Sequence, residues 1–238
     1  MLKVYKESGI TINDFIKTIK KEKGYKKLCF CGRLDPMARG ELLLLYNENC
    51  KKMPQYLKKD KTYQFKIVLG IQTDSDDSLG LIQNYKSDYN VEKVISKLTE
   101  KIHNCPNKFN QKFHIFSSKC VDGKPLWAYS RDGIILNNYP DHPVEIKQKK
   151  IMGLTKQSFI DFKNEICKRI NRIDKKHNFR QTEILKKWDE LEINNLYHLT
   201  VELTVSSGFY VRQFVRDLSD EICFPLLTYD IYRKKIIL

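Results

Sequence analysis

The feature that most constrains the fold of this chain is a change of hydrophobic period from one segment to the next. Apolar and polar residues alternate over 62–69, with Val68 as the exception, and again over 199–205. This period of two predicts strands with one buried face. Other segments have the helical period, and strands and helices do not follow one another in regular βαβ order. The sequence therefore predicts an α+β or mixed α/β domain.

Four segments have apolar residues at helical spacing: 11–23, 91–103, 154–193 and 210–222. At the start of the first, Thr11 followed by Asp14 resembles a capping box, and Gly24 can end that helix. The segment 154–193 contains two apolar stripes around a charged centre, which predicts a helical hairpin inserted into the domain.

Two further stretches are less regular. The short apolar run 42–46 predicts a buried strand. Prolines, aromatic residues and glycines are scattered over 104–145, so we expect loops and short strands there.

The charge balance indicates the class of partner. Lys and Arg number 43 against 29 Asp and Glu, a formal net charge of +14. Such an excess favours a polyanionic partner, of which nucleic acid is the commonest. No apolar run approaches the length of a membrane span, and the N-terminus lacks the apolar core of a signal peptide. We therefore expect a soluble nucleic-acid-binding protein without a membrane partner.

The cysteines indicate the compartment. There are seven, an odd number with scattered spacing. The only close pair, Cys29-x-Cys31, is not the C-x-x-C of zinc sites. We therefore expect reduced thiols in a cytoplasmic or nuclear compartment and no structural zinc.

The stretch 32–40 holds a single carboxylate, Asp35, directly before Pro36. Pro36 fixes its own φ and biases Asp35 toward extended backbone. Two interpretations remain open at this point. Asp35 could cap a helix that begins at Pro36, because Asp is a preferred N-cap residue. Alternatively, it is a carboxylate held in place for chemistry.

Other polar residues also allow a structural and a functional interpretation. Tyr63 is either a half-buried strand residue or a platform on which a base stacks. Arg212 lies early in a predicted helix, where the helix dipole disfavours a cation. It is therefore either paired with a carboxylate or an ordinary exposed surface residue. The acidic stretch 73–77 also has two interpretations. We favour a solvated turn, and the alternative is that Asp74, Asp76 and Asp77 bind a hard cation, although their spacing is not that of an EF-hand.

Four motifs, taken in order, are similar to the signature of one enzyme family. They are Gly32-x-Leu34-Asp35-Pro36-x-Ala38-x-Gly40, Lys61-Thr62-Tyr63, Leu69-Gly70-Ile71-Gln72-Thr73-Asp74-Ser75-x-Asp77 and Gly208-Phe209-Tyr210-Val211-Arg212. The segments 4–11, 116–133 and 143–146 fit the same pattern. Outside 154–193, most of the chain resembles the TruB family of pseudouridine synthases. Several separated motifs in the right order are far more specific than any one alone.

The resemblance implies a single catalytic domain with the pseudouridine-synthase fold, in which helices flank a mixed, mainly antiparallel sheet around a cleft. It implies isomerisation of a uridine in RNA, typically the T-loop uridine of tRNA (position fifty-five), with no cofactor and no metal. We expect a monomer. A tRNA-binding chaperone on the same fold, for which catalysis is dispensable, is the alternative function.

The resemblance also implies roles for individual residues. Asp35 would be the catalytic aspartate, Tyr63 would pack on the flipped uracil near C5, and Arg212 would pair with Asp35. Supporting site or RNA contacts would come from Lys61, Asp74, Lys119 and Tyr210. The chemistry suits these residue types, because uridine must detach at N1 and reattach at C5. A carboxylate can attack or stabilise the intermediate, and the target base must first leave its stack.

Three departures from the family pattern carry expectations of their own. Phe30 follows Cys29 where the family commonly has Gly-His, so we expect Phe30 to stack on RNA. Arg33 and Arg39 replace smaller residues of many members, and we expect them to touch phosphates or perturb Asp35. No C-terminal RNA-binding PUA domain is expected, because the chain ends at Leu238. The helical insertion either compensates for that domain, pads the surface or docks a partner.

Overall fold

The computed structural model describes every residue from Met1 to Leu238. The strands are β1 (Leu2–Lys6), β2 (Leu28–Cys31), β3 (Arg39–Tyr46), β4 (Lys61–Leu69), β5 (Ile71–Thr73), β6 (Ile82–Tyr85), β7 (Lys108–Lys112), β8 (Cys120–Val121), β9 (Lys124–Pro125), β10 (Asp141–Ser158), β11 (Asn195–Val205) and β12 (Leu226–Ile236). The helices are α1 (Ile12–Glu22), α2 (Met53–Leu57), α3 (Val91–Asn104), α4 (Leu126–Arg131), α5 (Phe159–Asn171), α6 (Gln181–Asp189) and α7 (Val211–Ile222). Two short 3₁₀ helices cover Asn47–Lys52 and Lys175–His177.

Eight of the strands form one sheet in the order β1-β3-β12-β4-β11-β10-β7, with β2 also paired to β3. Neighbouring strands run antiparallel, except that β12 and β3 are parallel. At the centre, β4 and β11 pair in a register that places Tyr63 opposite Leu203. The prediction of an α+β fold with a mixed, mainly antiparallel sheet is therefore confirmed.

The central strand β4 is covered on both faces. Phe65, Ile67 and Leu69 belong to a core that also contains residues of α3 and α7. Val68 belongs to a second core, built with residues of α5 and α6. Ile67, Val68 and Leu69 are consecutive and all fully buried. The alternation in the sequence predicts that the face with Phe65, Ile67 and Leu69 is buried. The structure shows that the opposite face, which carries Val68, is buried as well.

The helical segment predicted over 154–193 supplies this second core. Its first five residues complete β10, so α5 begins only at Phe159. Phe162 and Trp188 are fully buried, and the Phe162 ring centroid lies 4.7 Å from that of Tyr229 in β12. The expectation that these helices pad the surface is wrong, because their apolar faces close one side of the sheet.

The first helix has the ends that its sequence predicts. The Thr11 hydroxyl accepts the Asp14 amide at 3.1 Å and donates to the Asp14 carboxylate at 2.8 Å. At the other end, the amides of Gly24 and Tyr25 bond back to carbonyls of the last turn in a Schellman motif. Gly24 has a φ of +64°, which glycine adopts without strain.

The stretch 104–145 contains β7, the two-residue strands β8 and β9, and the short helix α4. The loops and short strands are as predicted, and the helix is an addition. None of the helices combines the length and the apolar character that a membrane span requires.

Two connections position the candidate site. The turn between β2 and β3 carries Asp35, and the turn between β11 and α7 places Arg212 in the first turn of that helix. Both connections lie next to β4, because Leu34 and Ala38 of the first turn share the core of β4 and α7.

Candidate active site

Asp35 and Arg212 form an ion pair. Nη2 of Arg212 lies 2.7 Å from Oδ2 of Asp35, and the two side chains are 6% and 32% exposed. The cation is thus buried beneath a carboxylate that remains accessible to solvent. The residues after Asp35 form a turn and not a helix, so the alternative that Asp35 caps a helix beginning at Pro36 is wrong.

Two fully buried cations hold the turn that carries Asp35. The ammonium of Lys6, in β1, donates to the carbonyl of Ala38 at 2.7 Å. The guanidinium of Arg233, in β12, donates to the carbonyls of Arg33 at 3.2 Å and Gly32 at 3.3 Å. Because these bonds go to the main chain, they fix the path of the turn without depending on its side chains.

No pattern in the sequence predicts either of these cations. Burial lowers the pKa of Lys6 to about 7, the negative charge of Asp35 opposes this shift, and the positive charge of Arg233 adds to it. Arg233 stands in a basic run that is typical of an exposed strand end. The pairing of β12 with β4 shifts register between Tyr229 and Tyr232. A simple period of two therefore does not indicate which side chains of this strand face the core.

The acidic loop after β5 lies beneath Arg212. Nη1 of Arg212 donates to the carbonyl of Ser75 at 3.0 Å, and its Nε lies 3.8 Å from Oδ2 of Asp77. Burial alone would lower the pKa of Arg212, but the charges of Asp35, Asp77 and Asp76 raise it above its usual value. The guanidinium therefore joins two acidic segments that are distant in sequence.

Asp76 of the same loop binds a histidine. Nε2 of His114 lies 2.9 Å from Oδ2 of Asp76, and Nδ1 accepts the Phe116 amide at 3.1 Å. Because Nδ1 is an acceptor, the ring proton is on Nε2, and neutral His114 donates to Asp76. Burial and the charge of Arg212 hold the pKa of His114 well below its usual range. Arg216, one turn after Arg212, donates to the same carboxylate oxygen at 3.0 Å.

The favoured prediction of a solvated turn over 73–77 is wrong. Ser75, Asp76 and Asp77 are all buried, because their polar atoms bind cations and main-chain groups of the protein instead of water. Burial raises the pKa of Asp76 to about 6, against the opposing charges of the two arginines on α7. The carboxylates do not converge on one point: Asp74 points to Arg180, directly before α6, at 2.8 Å. The role of Asp74 as a supporting site or RNA contact stays a prediction.

Of the two predicted tyrosines, Tyr210 lies near Asp35, and Tyr63 lies in the core that the Asp35 turn packs on. Tyr63 of β4 is 8% exposed and belongs to the same core as Leu34, which precedes Asp35. The main chain of Tyr210 is fixed by the Gln111 side chain, which accepts its amide at 2.8 Å and donates to its carbonyl at 3.1 Å. Burial raises the pKa of Tyr210, and the charge of Asp35 raises it further. The Tyr210 phenol therefore stays neutral beside the carboxylate.

Lys61 and Arg39, two residues with predicted roles at the site, bind groups of the protein itself. Lys61 is buried, and its ammonium donates to the Lys59 carbonyl at 2.6 Å. Burial lowers the pKa of Lys61 to about 8. Both carboxylate oxygens of Asp230 accept from Arg39, at 2.8 and 3.0 Å. The role of Lys61 as a supporting site or RNA contact, and that of Arg39 in touching phosphates or perturbing Asp35, stay predictions.

Three other predicted contacts lie where RNA could reach them. Lys119 is exposed, and its ammonium lies 5.0 Å from the ring centroid of Phe113. Arg33 is exposed, with its guanidinium 5.5 Å from the ring centroid of half-buried Phe30. Their contact with RNA stays a prediction.

This geometry suits one kind of chemistry. Asp35 can act as a nucleophile or stabilise a developing positive charge. Arg212 keeps its proton at any ordinary pH, so its contribution is electrostatic and positional. The neighbouring tyrosines offer aromatic surface and phenol groups to a planar ligand.

A comparison with family models identifies the family of this chain. The sequence model described as "TruB family pseudouridylate synthase (N terminal domain)" matches residues 20–169, well over half of the chain. The chain belongs to the TruB family. The resemblance inferred from the sequence motifs is therefore confirmed.

Curated relatives of this TruB family member carry one name. The chain is 38% identical over 130 residues to the tRNA pseudouridine synthase B of Mycoplasmopsis pulmonis, covering 55% of this chain and 45% of that protein. It is 28% identical over 225 residues to the tRNA pseudouridine synthase B of Caldanaerobacter subterraneus, covering 94% of this chain and 64% of that protein. The chain spans about half the length of the curated relatives it matches most strongly.

A solved structure supports the fold. The coordinates titled "Crystal Structure of a Cbf5-Nop10-Gar1 Complex" contain a chain that matches 98% of this one, with a TM-score of 0.54 and 12% sequence identity. The match covers 47% of that chain. At this identity the similarity extends to the fold alone.

Proposed function

We propose that this TruB family member is an RNA pseudouridine synthase whose substrate is tRNA and whose target is the T-loop uridine. The observation that carries the proposal is the accessible Asp35 carboxylate, held 2.7 Å from the buried guanidinium of Arg212. Family membership supports the reaction, and the names of the relatives support tRNA as the substrate.

The reaction is an isomerisation, so it consumes no second substrate. The bond between N1 and C1′ breaks, the uracil rotates, a bond forms between C5 and C1′, N1 gains a proton and C5 loses one. Asp35 would attack C1′ or C6, or stabilise the cation that forms at the sugar. Arg212 would hold that carboxylate in place. Tyr63 would pack on the uracil and remove the C5 proton, directly or through a water molecule.

The target base must leave its stack before Asp35 can reach it. Flipping a nucleotide costs a few kcal/mol, whereas stacking on an aromatic side chain returns about 1–3 kcal/mol per base. Half-buried Tyr210 provides aromatic surface near Asp35, and Tyr63 would add to it. Arg33 and Lys119 are exposed cations near the mouth of the site, where they would bind phosphates.

The test uses an unmodified tRNA transcript labelled with tritium at C5 of uridine. Because C5 loses its hydrogen, pseudouridine formation releases tritium, and mapping the product locates the modified position. The wild type should release tritium at the T-loop uridine. Asp35→Asn, which keeps the shape and removes the charge, should lower the rate by at least about 10³-fold while binding the transcript with similar affinity.

The same experiment separates the alternative function. Tight binding of the transcript without tritium release by the wild type would favour an RNA chaperone. Release by Asp35→Asn at the wild-type rate would exclude Asp35 as the catalytic group.

A further inference from the structure

A cluster of lysines surrounds the end of α1 and the turn to β2. Its members are Lys17, Lys20, Lys21, Lys23, Lys26 and Lys27, here called the lysine corner. All six are exposed, and Glu22 is the only acidic residue between the first and the last of them. About a third of the net charge of +14 therefore lies on eleven residues.

The lysine corner has no internal counter-charge. None of its six ammonium groups forms an ion pair, and neither does Glu22. By contrast, Lys3, Lys51 and Lys176 on other segments each have a carboxylate within 3.5 Å. Like charges on neighbouring turns repel one another, so this cluster is destabilising unless an anion binds it.

The lysine corner is also held rigidly. The Tyr25 amide donates to the Lys20 carbonyl at 3.2 Å and ends α1. The Tyr25 ring stacks on that of Tyr46 in β3, with centroids 4.6 Å apart and planes 9° from parallel. Next to this stack, the Asn47 amide donates to the Lys27 carbonyl at 2.9 Å. A charged surface that serves only solubility needs no such fixed geometry, whereas a binding surface gains from it.

The lysine corner adjoins the segment that carries Asp35. β2 begins at Leu28, directly after Lys27, and leads to Arg33. Six residues of extended chain span at most about 20 Å. Phosphates follow one another at about 3.4 Å along the axis of a duplex strand, so this span corresponds to roughly six nucleotides. An RNA whose target lies at Asp35 therefore has backbone within reach of the lysine corner.

We propose that the lysine corner binds the phosphate backbone of the duplex stem that carries the target uridine. This inference rests on the proposed function, because it takes the nucleotide at Asp35 to be part of a stem-loop. The stem is favoured over the loop because a duplex presents phosphates of both strands at high density. Lysine is a point charge without a planar fork, so the contact positions the RNA and reads no sequence.

The test compares two triple variants with the same change of net charge. Lys20→Gln, Lys23→Gln and Lys27→Gln together remove half of the lysine corner. The control combines Lys93→Gln and Lys97→Gln of α3 with Lys168→Gln of α5, all exposed and without ion pairs. Equal far-UV circular dichroism and equal thermal midpoints show that both variants are folded.

The readout is the salt dependence of binding. The probes are an unmodified T-arm stem-loop RNA and the full-length tRNA transcript, titrated between 50 and 200 mM KCl. Each lost phosphate contact reduces the slope of log K against log salt by about 0.7–0.9. The lysine-corner variant should therefore show a slope shallower by about 2 to 3, with both probes. The control should keep the wild-type slope and, at saturating enzyme, the wild-type rate of product formation.

Two results would overturn the inference. Equal slopes for the two triple variants would show that the lysine corner makes no phosphate contact. A change confined to full-length tRNA would place the contact outside the stem. Failure of the proposed function would look different: the wild type would then form no pseudouridine, whatever the salt dependence of its RNA binding.

Discussion

Replacing Arg212 by lysine keeps a positive charge beneath Asp35 and removes the planar fork of the guanidinium. Three nitrogens of Arg212 face three groups: Oδ2 of Asp35 at 2.7 Å, the Ser75 carbonyl at 3.0 Å and Oδ2 of Asp77 at 3.8 Å. A lysine ammonium is a single point charge on a flexible stem. It can bind one of these groups well, but not all three in their present positions.

The magnitude follows from these distances. At 2.7 Å and an effective dielectric constant of about 20, the attraction between Arg212 and Asp35 is about 6 kcal/mol before desolvation. A lysine ammonium at about 4.5 Å from Asp35 would keep about 4 kcal/mol of this attraction. Because Asp35 is partly exposed, solvent screening makes the actual loss smaller than the difference between the two values. Loss of the hydrogen bond to the buried Ser75 carbonyl costs about 1.5–3 kcal/mol. We therefore expect Arg212→Lys to lower the free energy of unfolding by about 2–4 kcal/mol.

The catalytic effect should be larger than the effect on RNA binding. A reacting group displaced by about 1 Å lowers the rate by about 10²-fold, so kcat should fall by about that factor. KM should change less than about threefold, because Arg212 is buried and loses no contact with RNA. Tritium release from tRNA labelled at uridine C5 gives kcat and KM, and urea unfolding gives the stability.

Arg216→Lys is the matched control. Arg216 lies one turn later on α7 and binds Asp76 instead of Asp35, so this variant should keep kcat within about threefold of the wild type. Arg212→Lys with a kcat within threefold of the wild type would refute the positional role of Arg212. An equal loss of kcat in both variants would show that the effect comes from disturbing α7 and not from the contact between Arg212 and Asp35.

Three further predictions concern the scaffold of the site. Gly40→Ala would place a Cβ atom 2.2 Å from the Arg233 carbonyl oxygen, in a backbone with a φ of +123°. Urea unfolding should therefore show that the free energy of unfolding falls by more than about 3 kcal/mol. A fall below about 1 kcal/mol would show that β3 and β12 can move apart. Lys6→Met leaves buried carbonyls unpaired and should lower the free energy of unfolding, measured in urea, by about 2–4 kcal/mol. The control Lys3→Met, on the exposed side of β1, should lower it by less than about 0.5 kcal/mol. Equal losses in the two variants would contradict the role of Lys6. Burial raises the pKa of Asp76 from 3.8 to about 6, so its ionisation opposes folding and its contribution to stability is lost as the pH rises through this range. Between pH 5 and pH 7 the wild type should therefore lose about 1 kcal/mol relative to Asp76→Asn, and parallel stability curves would contradict the raised pKa.

Local sequence patterns predict most of the elements that frame the site. The alternation over 62–69 and 199–205 gives the two central strands, because a sheet side chain points to one face or the other with a period of two. The capping pattern at Thr11 and the glycine at position 24 give both ends of α1. The resemblance to the TruB family also implies that Asp35 and Arg212 meet, although they are 177 positions apart in the chain.

The same patterns misplace residues whose environment depends on distant segments. The turn over 73–77 looks solvated because its residues are polar. It is buried because Arg212, His114 and Arg216 arrive from other elements and bind its oxygens. The helices of 159–189 look like a surface addition, yet they cover the second face of β4.

The sequence by itself therefore determines the class of fold, the family, the basic surface and the identity of the central ion pair. Each of these depends on residue type, local period or motif order, which are properties of the chain. Only the tertiary structure decides that Lys6 and Arg233 hold the Asp35 turn, and that Lys61, Asp74 and Arg39 bind other groups of the protein. A buried charge is stable only where carbonyl or carboxylate oxygens surround it, and those oxygens come from strands and loops far apart in sequence.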